Sequence, residues 1–207
     1  MKYYNEYYDG TDINLQIKLL VKLDVKNGKI LEIGSGQGNL LKVFKQNNVP
    51  YAGVEIIDEV YQQLLNDGHN VYKSIYEVPL DDFEYLFMCS VIEHMSFEEV
   101  KYLLDNFNGK LVIETPDVRI DGAFLRVPFK NKLSFWDDYQ HVKPYTPTSL
   151  KRLLLDSNYN IIEDGRVKTC VKNKIKYFIL EGIAILNEII SGIKHPYYVI
   201  AEKSEVQ

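Results

Sequence analysis

Short apolar runs alternate along this chain with stretches whose apolar residues recur at helical spacing, and the alternation repeats five times before it breaks. A helix running to about Asp24, with Ile13, Ile17, Leu20 and Val21 on one stripe, precedes a first strand at Lys29–Ile33. Leu40, Leu41, Val43 and Phe44 then predict a helix, and Tyr51–Ile56 a second strand. Asp58 is placed to cap a helix over Glu59–Asn66 that closes at Gly68, and Asn70–Ser74 reads as a third strand. The run Phe83–Ser90 is apolar nearly throughout, as befits a strand covered on both faces. Ser96, with Glu98 and Glu99 behind it, opens the next helix, and Lys110–Pro116 is the fifth strand. Strand and helix in strict alternation predict an α/β domain, a doubly wound parallel sheet with helices on both faces.

The break in the alternation is informative in itself. Residues 117–146 form a long connection with the chain's only tryptophan, Trp136, and with Phe129, Phe135, Asp137, Asp138, Tyr139, His141 and Tyr145. Long connections inside compact domains tend to carry function. Thr148 and Ser149 start a helix through Leu155, Asn160–Gly165 makes a sixth strand, and Tyr197–Lys203 a last one. Between those two strands, residues 171–194 give an apolar helix interrupted by Glu181 and Glu188, which argues against a bilayer span. Packing on the sheet, a homodimer seam and shallow membrane attachment are the roles open to it. The first ten residues hold Tyr3, Tyr4, Tyr7 and Tyr8, suited either to a lid over a ligand or to packing on the domain edge.

Composition changes this picture little. At 207 residues, 46% of them hydrophobic, the chain suits a single domain with its own core, residues 1–28 being an N-terminal helical lid segment. A formal net charge of −5 gives no strong nucleic-acid signal. Cys89 and Cys170 have no metal or redox spacing, and the opening residues are too polar for a leader, so a cytoplasmic protein is expected. His94 and His141 with scattered aspartates lack a ligand-spacing signature, and the expectation is no metal.

Candidate chemistry centres on KILEIGSGQGNLL, Lys29 to Leu41. The glycines at 34, 36 and 38 follow a strand and precede a helix, where a ligand can approach bare backbone and meet free helix N–H groups. The dinucleotide fingerprint is G-x-G-x-x-G, whereas here the spacing is G-x-G-x-G with Glu32 two residues ahead. An ammonium-bearing nucleoside without a pyrophosphate suits that loop better than NAD does. Glu55, about 20 residues beyond the first glycine, falls at the tip of the neighbouring strand, where a carboxylate accepts ribose hydroxyls.

These residues resemble the first motif of the class I S-adenosylmethionine-dependent methyltransferases, acidic-x-G-x-G-x-G. A second match is Ser90-Val-Ile-Glu-His-Met95, similar to the family's fourth motif beside the methyl donor. A third, W-D-D-x-x-H-V-K-P-Y-T-x-x-S-L from Trp136, resembles a segment of small methyltransferases that modify quinones, sugars and surface glycans. The resemblance implies a Rossmann-like, mostly parallel seven-stranded sheet with an antiparallel last strand, and S-adenosyl-L-methionine as cofactor. It implies cofactor contacts from Glu32, Gly34, Ser35, Gly36, Gly38, Asn39, Glu55, Ile56, Ser74, Ile75, Ser90 and Val91. The usual acidic residue after the third strand is replaced here by Ser74 and Ile75. His141, with Asp138 as a partner and Asp117 nearby, is a candidate base or substrate-orienting group, and equally a residue that braces its loop. His94 is likewise either a base or a shaper of the cofactor pocket. Methyl transfer to a small-molecule acceptor is the expected function. An NAD-dependent oxidoreductase and a non-catalytic, methyltransferase-like binding subunit are the alternatives.

Overall fold

A computed structural model describes residues 13–25, 27–116, 140–166 and 196–204. Its centre is a seven-stranded sheet. The strands are β1 (Ile30–Ile33), β2 (Tyr51–Val54), β3 (Val71–Tyr72), β4 (Tyr85–Cys89), β5 (Lys110–Thr115), β6 (Tyr159–Arg166) and β7 (Tyr197–Lys203). Their order is β3-β2-β1-β4-β5-β7-β6. The first five are parallel, while β7 runs antiparallel between β5 and β6. The chain therefore leaves β1 in one direction to build β2 and β3, then returns to its other side for β4. That reversal opens a crevice at the carboxyl ends of β1 and β4, where ligands bind in such sheets.

Helices cover both faces. On one lie α1 (Ile13–Leu23), α2 (Asn39–Gln46) and α3 (Asp58–Asn66), whose Leu19, Leu23, Leu40, Phe44 and Leu64 cluster with Ile30, Phe87 and Val112. On the other, α4 (Phe97–Asn106) and α5 (Pro147–Asp156) bring Val100, Leu103, Leu150 and Leu154 against Leu31, Met88 and Ile113. Both faces of β1 are covered, so all four of its residues are buried, Glu32 among three apolar neighbours.

Three local expectations are corrected. The stripe that α1 buries is Leu15, Leu19 and Leu23, whereas Ile17 and Val21 face solvent. The helix INLQIKLLVKL offers two apolar stripes of equal period, and docking on the sheet selects the leucines. Helix α3 begins at Asp58 itself, with Ile57 as its cap, so Asp58 acts on the helix dipole rather than as a side-chain cap. Helix α5 begins earlier than Thr148: Thr146 caps it, Pro147 occupies its first turn, and the Thr146 hydroxyl accepts from the Ser149 amide at 3.1 Å. Ser96 caps α4 as expected, and the Glu99 side chain returns a bond to the Ser96 amide, which completes a capping box.

The edge strand β6 alternates buried and exposed residues, carries a bulge at Ile161–Glu163 and is charged on its open side. Glu163 pairs with Lys22 and accepts from the Tyr198 hydroxyl, and Asp164 pairs with Lys151. Charge and a bulge are what keep an open edge from recruiting another strand.

At the amino ends of β4 and β5 the backbones meet at Gly109, where a methyl group would run into the Glu84 carbonyl oxygen and the Phe107 ring. Replacing Gly109 by Ala is expected to cost about 1–3 kcal/mol through overpacking, a fall of about 3–10 °C in Tm for a chain of this length. Gly165→Ala, whose methyl would sit 3.3 Å from the Tyr198 hydroxyl and well clear of any backbone atom, should cost less than about 1 kcal/mol. Thermal denaturation of the two variants side by side checks the contrast.

Candidate active site

The loop after β1 turns through left-handed backbone at Gly34, Gly36 and Gly38. It is tied to the end of β2, since the Gly34 and Ser35 amides both donate to the Val54 carbonyl at 3.0 Å. A side chain at Gly34 would strike Val91 at 2.7 Å, and one at Gly38 would strike Leu64. Around Gly36, by contrast, a Cβ would meet nothing within 4 Å. Two glycines are thus required by packing, and the middle one faces open space. No side chain caps α2, whose first N–H groups are left for the crevice.

Two carboxylates flank this loop. Glu55 is buried just past β2, and its oxygens accept from the Gly36 and Ile57 amides, both at 2.9 Å. Glu32 is buried in β1 at 3% exposure, and its Oε2 finds no partner among the described residues. Burial pushes the Glu32 carboxyl well above the usual carboxylate range, with the Ser35 hydroxyl opposing and the Glu55 charge reinforcing the shift. An unpartnered carboxylate oxygen in a water-poor crevice calls for a cation. Beside Glu55, Ile56 leaves its side chain 72% exposed, a flat apolar contact of the kind a purine takes. Lys73 braces that turn by donating to the Ile56 carbonyl and pairing with Asp58.

The other wall is built at the ends of β4 and β5. Ser90 adopts a left-handed conformation (φ 51°), uncommon for a residue with a side chain. In that conformation its amide donates to the Glu114 carbonyl at 3.0 Å, and its hydroxyl to Glu114 Oε2 at 2.9 Å. The Cys89 thiol donates to the same oxygen at 3.1 Å. Burial raises the Glu114 carboxyl, though the Cys89 and Ser90 donors oppose it, and burial next to that carboxylate raises the Cys89 thiol further still. The cysteine is a donor, not a nucleophile.

A tight turn over Ile92–His94 follows. Glu93, 1% exposed, accepts from the Thr115 hydroxyl at 3.0 Å. The Glu93 carbonyl accepts from the Val142 and Lys143 amides at 2.8 and 3.2 Å, which fastens the returning chain to the turn. His94 Nδ1 lies 3.2 Å from the Gln140 carbonyl, and the His94 and His141 rings sit 4.6 Å apart between centroids. Tyr145 is buried behind them. Its hydroxyl has no partner among the described residues, and burial, with the Glu93 charge adding, pushes it up to about 12.

Most of the residues singled out from sequence meet at this end of the sheet: the glycine loop, Glu32, Glu55, Ile56, Ser90, Val91, His94 and His141. Asn39 opens α2 beside them. Ser35 is buried with its hydroxyl against Gly53. Ser74 accepts from the Tyr76 amide and caps a short turn, and Ile75 is buried in the hydrophobic core. The packing leaves Ile75 little surface for a purine. Asp117, Asp138, the four leading tyrosines and the 171–194 helix lie outside the described residues. Sequence reasoning missed Glu93, Glu114 and the buried hydroxyl of Tyr145. The available signal was an acid set inside each of two otherwise apolar runs, SVIEHM and KLVIET.

Residues 4–164 match the model of a methyltransferase domain family. The chain belongs to the class I S-adenosylmethionine-dependent methyltransferases. An uncharacterised methyltransferase of Staphylococcus carnosus strain TM300 is 27% identical over 119 residues, which are 53% of this chain and 57% of that protein. The match to that curated relative thus spans little more than half of its length. A methyltransferase of Archaeoglobus fulgidus dependent on S-adenosylmethionine superposes with a TM-score of 0.65 at 20% identity, over 97% of this chain and 98% of its own. The 1,6-didemethyltoxoflavin-N1-methyltransferase of Burkholderia thailandensis, solved with its acceptor and S-adenosylhomocysteine, superposes at 0.57 and 13% identity, over 99% and 86%. The seven-stranded methyltransferase sheet is thereby established, and the nicotinamide alternative falls away. S-adenosylmethionine also fits the site as built, since its ammonium answers the unpartnered oxygen of Glu32.

An ammonium bound at Glu32 would make binding depend on pH. In the free protein the buried carboxyl holds its proton above the ordinary carboxylate pKa, whereas a bound ammonium favours the ionised form. S-adenosylhomocysteine binding should therefore release a proton, and its affinity should rise with pH, between the ordinary value and the raised one. The free protein loses stability as pH rises across the same window, because the unfolded chain ionises first. Glu32→Gln should abolish the proton release and weaken binding about 10- to 100-fold. Calorimetric titrations in buffers of different ionisation enthalpy test both.

Proposed function

We propose that this chain methylates a small-molecule acceptor whose nucleophilic atom carries a proton, with His141 and His94 receiving that proton and residues 117–146 choosing the acceptor. The observation that carries the reading is the pairing of the two imidazoles at the ends of β4 and β5, on the wall that touches the glycine loop through Val91. S-adenosylmethionine brings a methyl group already made electrophilic by its sulfonium. The protein's task is then to align the acceptor with it and to exclude water.

Each side chain has a part in this. Glu32 takes the ammonium, the backbone of Gly34–Gly38 lets the amino-acid end in closely, and Glu55 accepts the ribose hydroxyls with the lone pairs its two amides leave free. Ile56 flanks the purine. Ser90, locked by Glu114, fixes the wall that Val91 presents to the loop. An imidazole can take up the proton of an acceptor as the new bond forms. Sugar, glycan and lipid-linked acceptors all carry hydroxyls of that kind, and the toxoflavin precursor methylated on nitrogen by the Burkholderia enzyme belongs to the same broad class of small acceptors.

S-adenosylhomocysteine should raise the Tm of the wild-type chain, by about 2.7 kcal/mol of stabilisation at a hundredfold excess over Kd, while NADH should not. In a methyltransferase assay with an acceptor in hand, His141→Ala should lower kcat with cofactor affinity unchanged. Full turnover in that variant would remove His141 from the chemistry.

A further inference from the structure

We infer that Glu93, His94 and His141 form a binding site for one divalent transition-metal ion, zinc by preference, at the acceptor end of the crevice. One ligand atom from each, a carboxylate oxygen and two imidazole nitrogens, lies within 4.8 Å of the others. Tetrahedral ligands at bond lengths near 2.0–2.2 Å lie about 3.3–3.6 Å apart, so side-chain rotations that bring the three atoms together by about an ångström close the set. Two nitrogens and one carboxylate oxygen are the donors of open catalytic zinc sites and of two-histidine, one-carboxylate iron sites.

The surroundings are those a ligating set requires. A carbonyl oxygen can only accept, so the Nδ1 of His94 facing the Gln140 carbonyl must carry the proton. That puts the proton on Nδ1 and the ring's lone pair on Nε2, the tautomer by which metal-bound histidines are usually oriented. The Thr115 hydroxyl donates to Glu93 and orients the carboxylate in the same way. The two amides of Val142 and Lys143 on the Glu93 carbonyl bring His141 to its position from a distant part of the chain. Glu93 is buried while both imidazoles are partly exposed, so the set has a closed floor and an open mouth. The motif carries no spacing signature because two ligands are adjacent and the third arrives after a long connection. With an ion bound, the two imidazole lone pairs are taken, and the ion replaces their proton-receiving part by keeping a coordination position for an acceptor oxygen and making its proton more acidic; that role rests on the proposed placement of the acceptor, whereas metal binding itself does not.

Tag-free protein stripped with chelator and titrated with CoCl2 should bind one equivalent, with the visible absorption of a four- or five-coordinate ion, and ZnCl2 should displace it. His141→Ala and Glu93→Gln should each abolish the band or weaken binding about 100-fold or more, and Thr115→Val should weaken it about 10-fold. Absence of the band in wild type, or equal cobalt binding by wild type and both ligand variants, would overturn the site and leave the two histidines as a proton-handling pair. The Tm shift given by S-adenosylhomocysteine, measured in the same His141→Ala protein, serves as the control. If that shift persists while cobalt binding is lost, the metal site stands on its own. If the shift is missing in wild type, it is the cofactor reading that has failed.

Discussion

Four glutamates are taken out of water at or just beyond the carboxyl ends of adjacent parallel strands, and the local structure is arranged around making that tolerable. Glu32, Glu55, Glu93 and Glu114 are all buried. An isolated carboxylate in a protein interior costs several kcal/mol unless donors or a counter-ion meet it. Glu55 is met by two backbone amides, Glu93 by the Thr115 hydroxyl, and Glu114 by a thiol and a hydroxyl. Glu32 keeps an oxygen in reserve. The result is an end of the sheet that attracts cations, built from neutral donors alone in every contact just named.

The backbone follows from the same constraint. The Gly36 amide reaches Glu55 only because the loop passes through left-handed conformations at three glycines, and the Ser90 hydroxyl reaches Glu114 only because Ser90 accepts one without being glycine. Left-handed backbone at a residue with a Cβ costs on the order of 1–2 kcal/mol. Two hydrogen bonds to Glu114 from the same residue offset it. Strain of this kind persists where the surroundings over-determine it, and it gathers at sites that bind.

How much of this was legible beforehand depended on whether a feature is local. The glycine loop, Glu32, Glu55 and the Ser96 cap of α4 are local features of short stretches of chain, and sequence reading finds them. The face of α1 was misread because Ile17 and Val21 alternate with Leu15 and Leu19 in one short helix, and only the sheet decides between them. Glu93 and Glu114 were passed over for a related reason. An acid in KLVIET reads as the solvent-facing end of a strand until β7 is known to insert between β5 and β6 and cover it. The meeting of His94 with His141 was beyond reach, since it depends on two backbone hydrogen bonds across a long connection. Fold class was recoverable from period and order, while pairings at the site were not.

The concentration of acid also bears on rate. Methyl transfer turns a cationic donor into a neutral thioether, so an uncompensated negative field at the reacting atoms would stabilise the starting state more than the transition state and slow the step. A site with this many carboxylates must silence those not needed for binding. Burial does so at Glu114 by raising its pKa, which moves the group toward its neutral form. Glu32, with its unpartnered oxygen, and Glu55, held by two backbone amides, lie at the glycine loop. Glu93 is different, because it sits beside two imidazoles. A cation held among those three groups, as inferred above, would offset the Glu93 charge. It also supplies positive charge where an acceptor oxygen sheds its proton, and there it favours the nucleophilic form. Electrostatic economy at the reacting end and the geometry of the His94–His141 pair therefore point to the same occupant.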